Sequence, residues 1–441
     1  MPDLNQASQA FRGSILHFLD DPGSSLQAEE MIWLEDGILR IEDGHIAELG
    51  DSEALLKRLP DHCQLHDLRG QLIMPGLIDA HIHYPQTDMI ASYGEQLLGW
   101  LETYTFPTES QFANQAHAAE VAEVFLDELL RNGTTTACVF GTVHPESVTA
   151  FFIAAEQRNL RMIAGKVLMD RHCPDYLQDT SEQSYTDSKA LIKQWHGRNR
   201  LSYAVTPRFA PTSSEAQLAA AAQLLSEHPD VYMHTHVAEN RAEVEWIKEL
   251  FPQSRSYLDV YRERGLLRKR SVMAHCIHFD AQDRQQMADC EAAAVFCASS
   301  NLFMGSGLFD LNAAKQHTMR VAIGTDIGGG NSFSLLHALS DSYKVLQLQE
   351  QSMSACQGLY LATLGGARAL HLDKAIGNFE TGKEADFITL DFAATPLLQH
   401  RLSAAKTLHE KLFVLMMMGD DRCVSGTWIL GQQAHPTRRL Q

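Results

Sequence analysis

The chain has 441 residues, of which 45% are hydrophobic and 21% charged, and a formal net charge of -19. Those values describe an ordinary folded protein with a large core, and the length allows about two or three domains, or one barrel with a smaller domain attached. The acidity argues against a nucleic-acid partner, because affinity for a polyphosphate comes from Lys and Arg neutralising phosphates.

The opening stretch "MPDLNQASQAFRGSILHFLDDPG" has no basic start followed by a long apolar core, and no later segment approaches the roughly 20 apolar residues of a membrane span. A cytoplasmic protein with no membrane partner is expected. The eight cysteines show no Cys-x-x-Cys pairing, which suits small core residues in a reducing compartment. Next, "MIWLEDGILRIEDGHIAELGD" carries two Asp-Gly turn signals, Asp36-Gly37 and Asp43-Gly44, between short alternating apolar runs, and so predicts a meander of hairpins. The far end of the chain offers "GKEADFITLD", "KLFVLMMMG" and "CVSGTWILGQ", which read as further short strands. Neither end is long enough for a sheet with its own core, so together they predict one small β domain built from residues 1–74 and 376–441.

Between them, over residues 75–375, strand-like runs alternate with helical patterns. The runs are "GLIDAHIH", "TTTACVF", "RMIAGKVLMD", "LSYAVTP", "VYMHTHV", "SVMAHC", "AAVFCA" and "RVAIGTD"; amphipathic stretches such as "ANQAHAAEVAEVFLDELLRNG" and "SSEAQLAAAAQLLSEHP" separate them. About eight β/α repeats predict an α/β protein with a closed TIM (β/α)8 barrel. A doubly wound open sheet is the other arrangement, but no Gly-x-Gly-x-x-Gly follows the first strand.

A barrel of this kind brings the C-terminal ends of its strands to one face. The first strand carries His81 and His83, the fifth His234 and His236, the sixth His275 and His278, and the eighth ends at Asp326. In an extended strand His81 and His83 point the same way, so two imidazoles can share a metal. Histidines and a carboxylate gathered on one rim therefore predict a metal site.

"PGLIDAHIH", "HVAEN", "AHCIHF", "SSNLFMGSG" and "GTDIGGG" occur in the order and approximate spacing of the amidohydrolase superfamily. Within it, "HYPQ", "YTFPTE", "VTPRF" and "HVAEN" make the chain similar to the members that deaminate guanine. The likeness covers the barrel and both ends, where that superfamily has a split β-sandwich and a "GKEADF" signature. Ala298 in "CASSN" departs from the usual proline but carries no chemistry in the pattern.

The resemblance implies hydrolysis of guanine to xanthine and ammonia, with a small purine as the substrate and a homodimer as the common assembly. It makes His81, His83, His236 and Asp326 the ligands of one Zn2+, and imidazole ligands would suit iron as well. It places His275 beside the metal, where it bonds the attacking water or the tetrahedral intermediate, and makes Glu239 the group that moves protons. His234, on the same face as His236 but deeper, reads as a packing or supporting residue, and His278, past the strand end, as structural. His144 and His172 lie near other strand ends without an assigned role. Binuclear relatives use a modified lysine at the end of the fourth strand, but here that strand ends "VTPRF" and Lys166 belongs to the third, so one metal is expected.

For the purine itself, Arg208 offers a fixed fork of donors and Gln86 a donor and an acceptor, while Phe209 and Trp100 would form apolar walls. Another mononuclear amidohydrolase acting on a cyclic amidine, triazine or pyrimidine is the alternative function. A catalytically silent scaffold would lack metal ligands, and none is missing. The zinc nucleic-acid deaminase fold would need a Pro-Cys-x-x-Cys that the sequence does not contain.

Overall fold

The computed structural model describes residues 8–23, 29–93 and 97–435, so the first seven and last six residues of the predicted β domain lie outside the described residues. Four strands open the chain: β1 (Gln9–Phe18), β2 (Met31–Glu42), β3 (His45–Asp51) and β4 (Gln64–Pro75). The barrel strands follow as β5 (Leu77–His83), β6 (Thr134–Phe140), β7 (Arg161–Gly165) with its short continuation β8 (Val167–Leu168), β9 (Ser202–Pro207), β10 (Tyr232–Val237), β11 (Ser271–His275), β12 (Ala293–Phe296) and β13 (Arg320–Ile323). The chain then returns to the first sheet with β14 (Phe387–Asp391), β15 (Val424–Ile429) and β16 (Gln432–His435).

The terminal sheet runs β16-β15-β14-β4-β1-β2-β3, so the strands from the two ends of the chain join, through the β14–β4 pair, into one hydrogen-bonded unit. In a flat sheet β1 and β15 would lie three spacings, or about 14 Å, apart. Instead the Phe11 ring on β1 sits 4.8 Å from Trp428 on β15 and 4.9 Å from Phe387 on β14. The sheet therefore folds over on itself, aided by the register shift between Gly13 and Ile15, and encloses a core of its own as a sandwich does.

Two local readings are corrected. Asp36-Gly37 is no turn: β2 runs through it, and the extra residue is absorbed opposite the irregularity in β1, whereas Asp43 (φ 48°) and Gly44 (φ 74°) do make the hairpin into β3. "KLFVLMMMG" forms part of the helix Leu408–Met418 rather than a strand. A short apolar run has no period that separates strand from helix, and here Thr407 with Glu410 builds a capping box ahead of helix-favouring Leu, Lys and Met.

The eight predicted barrel strands form, each parallel to its neighbour, from β5 round to β13. Asp326 N–H donates to the His81 carbonyl and His83 N–H to that of Ile327, both at 2.9 Å, which joins the last strand to the first. The helix Gln115–Arg131 shows why the outer layer packs. Asn114 caps its start, while Ala118, Val121, Ala122, Phe125, Leu126 and Leu129 recur at helical spacing and are buried. Along β10 the alternation turns Tyr232, His234 and His236 into the barrel from bottom to top, with Tyr232 bonding the Leu370 carbonyl at 2.6 Å. No helix of the described residues is long and apolar enough to cross a membrane.

The "GKEADF" segment ties the two parts together at the foot of the barrel. Glu384 accepts from Arg161 at 3.0 Å and from Arg200 at 2.6 and 3.0 Å, and Arg200 also pairs with the nearly buried Asp386. Removing one partner of a buried pair leaves the others uncompensated. Arg200→Met should therefore lower the free energy of urea-induced unfolding by about 3 kcal/mol or more; a midpoint equal to that of the parent protein would show that the pairing holds nothing together.

Candidate metal centre

Backbone geometry aims the rim residues inward. His81 and His83 lie at the C-terminal end of β5, His236 at that of β10, and Asp326 follows β13. Asp326 (φ 53°) and His275 (φ 72°) take left-handed backbone conformations that cost a non-glycine residue about 1 kcal/mol or more, so the strand ends are held against a local preference. Behind them, Asp79 accepts the N–H groups of Thr325 and His81 at 3.1 and 3.2 Å and also the Thr325 hydroxyl, bracing β5 against β13. Burial raises the Asp79 carboxyl to about 7.

The predicted ligands converge. His83 Nε2 lies 3.3 Å from His81 Nε2 and 3.1 Å from His236 Nε2, while Asp326 Oδ1 lies 3.1 and 3.3 Å from the Nε2 atoms of His81 and His83. His236 Nδ1 is 2.7 Å from the Arg208 carbonyl, which can only accept, so its proton sits there and Nε2 presents a bare lone pair. Burial, reinforced by the neighbouring imidazoles, pushes His236 and His234 well below the ordinary histidine value, and His81 to about 4. Burial works against charge on Asp326, but His81 and His83 outweigh it and hold that carboxyl well below its usual range. Three imidazoles, His81, His83 and His236, and one carboxylate gathered round a common centre are the donor set of a divalent cation. A tetrahedral ion with bonds of about 2.1 Å holds its ligand atoms about 3.4 Å apart, close to the spacings here.

A second set of contacts fixes the ligands. His234 Nε2 lies 2.8 Å from His81 Nδ1, and its own Nδ1 lies 3.3 Å from Cys138 Sγ, which gives this deep histidine the supporting place expected of it. The Phe140 ring packs 4.5 to 5.3 Å from the rings of His81, His83, His234 and His236 and keeps them from rotating.

Glu239 leaves the barrel just after β10, and Glu243 fixes its position by accepting the N–H groups of Glu239 and Asn240 at 3.0 and 3.2 Å. Ser306 donates to Glu239 Oε1 at 2.7 Å, and Glu239 Oε2 faces His275 Nε2 at 3.4 Å. Burial raises the Glu239 carboxyl, a direction that suits a group taking up a proton. For His275 burial pulls downward, but Glu239 and Asp326, whose Oδ2 is 3.8 Å from Nε2, carry the net shift upward. Its Nδ1 donates to Asn301 Oδ1 at 2.9 Å.

Above this floor opens a cavity of about 480 Å3 lined by His83, His236, Glu239, His275 and Asp326, and also by Gln86, Trp100, Arg208 and Phe209. Every residue predicted for the site thus meets in one place. Gln86 is more occupied than expected: its amide nitrogen lies 3.2 Å from His83 Nδ1 and donates to Glu109 at 3.1 Å, and its oxygen accepts Gly328 N–H at 3.2 Å. Glu109, Asn301 and Ser306 sit inside "YTFPTE" and "SSNLFMGSG" with no role that the sequence alone assigns; the one signal for Glu109 is a carboxylate closing the aromatic run. His278 bonds the Ser306 carbonyl at 3.2 Å and His172 the Pro211 carbonyl at 2.8 Å. His144 precedes the helix Pro145–Gln157, and neither it nor His172 lines the cavity.

Residues 72–434 match the amidohydrolase family. Guanine deaminase of Escherichia coli (strain K12) is 49% identical over 427 residues, which cover 96% of this chain and 97% of that protein. A solved structure of E. coli guanine deaminase superposes with a TM-score of 0.95 at 48% identity, covering 98% of this chain and 100% of that one. Guanine deaminase from C. acetobutylicum, solved with guanine bound in its active site, gives a TM-score of 0.87 at 26% identity over 97% of this chain and 99% of that one.

Partners that orient a ligating imidazole typically change metal affinity by about 10 to 100-fold when removed. His234→Ala should weaken zinc binding in a chelator competition by that amount while far-ultraviolet circular dichroism stays unchanged; undiminished affinity would reduce His234 to packing.

Proposed function

The chain belongs to the amidohydrolase family, and from that premise we propose that it is a guanine deaminase that uses one zinc ion to hydrolyse guanine to xanthine and ammonia. The observation that carries this reading is the cavity, whose lining combines the cation site, a protonatable carboxylate and an arginine fork. Relatives that carry the same name span almost the whole chain. Eight free cysteines suit a reducing, cytoplasmic compartment, and a homodimer is the assembly that the family resemblance implies.

His81, His83, His236 and Asp326 would hold the ion. When bound there, zinc supplies a Lewis acid that lowers the pKa of water from 15.7 to about 7. The chain's own groups do the rest. Arg208 donates to the carbonyl at position 6 of guanine, and Phe209 and Trp100 wall the ring, which sets position 2 over the floor of the cavity. Glu239 takes a proton from the attacking water as its oxygen bonds carbon 2 and delivers it to the adjacent ring nitrogen. It then passes the second proton to the amine, so that the carbon–nitrogen bond breaks with neutral ammonia as the leaving group. Ser306 holds Glu239 Oε1, which leaves Oε2 on the side of His275. His275, fixed by Asn301, donates to the oxygen on which negative charge grows.

Purified, metal-analysed protein should release ammonia and xanthine in equal amounts from guanine and reject adenine, which leaves the carbonyl donors unpaired, by about 10⁴. Glu239→Gln should keep its metal yet lose more than the roughly 10² to 10⁴ of a single acid/base contribution, because two transfers depend on it. Adenine turnover comparable to that of guanine would overturn the substrate assignment, and near-normal turnover by the variant would remove Glu239 from the chemistry.

A further inference from the structure

Glu109 is a fully buried carboxylate that does not line the cavity, yet it holds two residues that do. It sits on the short helix Phe106–Ser110, outside the barrel strands. Its Oε2 accepts Arg208 Nη1 at 2.7 Å and its Oε1 accepts Gln86 Nε2 at 3.1 Å. One carboxylate thereby joins the loop after β5 to the loop after β9. The Arg208 guanidinium also lies 5.4 Å from the centre of the Phe106 ring, so the same helix supports it through both charge and ring face.

A buried guanidinium seeks a carboxylate. Glu239 and Asp326 line the same cavity, and Arg208 turned toward either would neutralise a group the reaction needs ionised or free to exchange protons. By engaging one edge of the fork, Glu109 leaves the rest of the guanidinium available to a ligand and keeps it away from the floor. We propose that Glu109 is the positioning residue that sets recognition of the carbonyl at position 6 of the purine, acting through Arg208. This rests on the guanine reading above, and it assigns Glu109 no part in proton transfer.

The test measures binding rather than turnover. Hypoxanthine carries the carbonyl at position 6 but no amino group, and unsubstituted purine carries neither, so neither is deaminated. On metal-loaded parent protein, calorimetry should give hypoxanthine tighter binding than purine by about tenfold or more, the size of a hydrogen bond to a charged group. In Glu109→Gln that preference should fall to near parity with metal content unchanged, because hypoxanthine weakens and purine does not. A merely structural role would weaken both ligands alike and keep their ratio, and that result would overturn the proposal. Should Glu109→Gln not fold, Glu109→Asp, which keeps the charge but retracts it, is measured in the same way and should lose most of the preference. A retained preference, or failure of both variants to fold, refutes the positioning role. If the parent shows neither the preference nor ammonia release from guanine, the guanine reading fails instead.

Discussion

Three imidazole nitrogens and a carboxylate oxygen lie within 4.8 Å of one another inside the rim of the barrel, four of their separations being 3.1 to 3.3 Å, and the rest of the structure is arranged to keep them there. Without a cation such a cluster is repulsive: His236 at least points a bare lone pair at its neighbour. Burial keeps the His81 and His236 rings neutral, which removes for them the alternative of relieving the repulsion by protonation. The barrel must therefore hold the strand ends firmly, and it does so where the ring of strands closes. There Asp79 links β5 to the residue before Asp326, and two backbone hydrogen bonds cross the same seam.

Arranged around that centre, the polar side chains divide by what they hold. His234 and the Arg208 carbonyl fix ligand rings. Ser306, Asn301 and Glu243 fix Glu239 and His275, the two groups proposed to meet the reacting atoms. Glu109 fixes the two side chains on the opposite wall. Glu239, His275, Arg208 and Gln86 are thus oriented by Ser306, Asn301 and Glu109, none of which lines the cavity, which is how a site on loops gains the precision of one built on strands.

The residues that cluster on the rim were legible in the sequence because they obey a simple period. His81 and His83 alternate onto one face of an apolar strand, His236 ends another such run, and Asp326 closes a third. Glu239 was legible through its place just beyond His236. The oriented partners were not, because contact between Glu109 and Arg208 spans 99 positions and depends on how a short helix with no strand of its own folds over the rim. Local chemistry also misled where two structures share one pattern. The apolar run in Leu408–Met418 could serve a strand or a helix and was decided by the cap before it. Asp36-Gly37 signals a turn but is absorbed as an irregularity between β1 and β2.

The claim on which the whole account stands is that this cluster is a single built cation site with Asp326 as its anionic ligand. Metal content by plasma mass spectrometry, on protein exchanged against zinc and freed of loose ions, measures it directly. The account predicts one tightly held ion per chain in the parent and a clear loss of it in folded Asp326→Asn. Two tightly held ions per chain, or full retention by that variant, would contradict it.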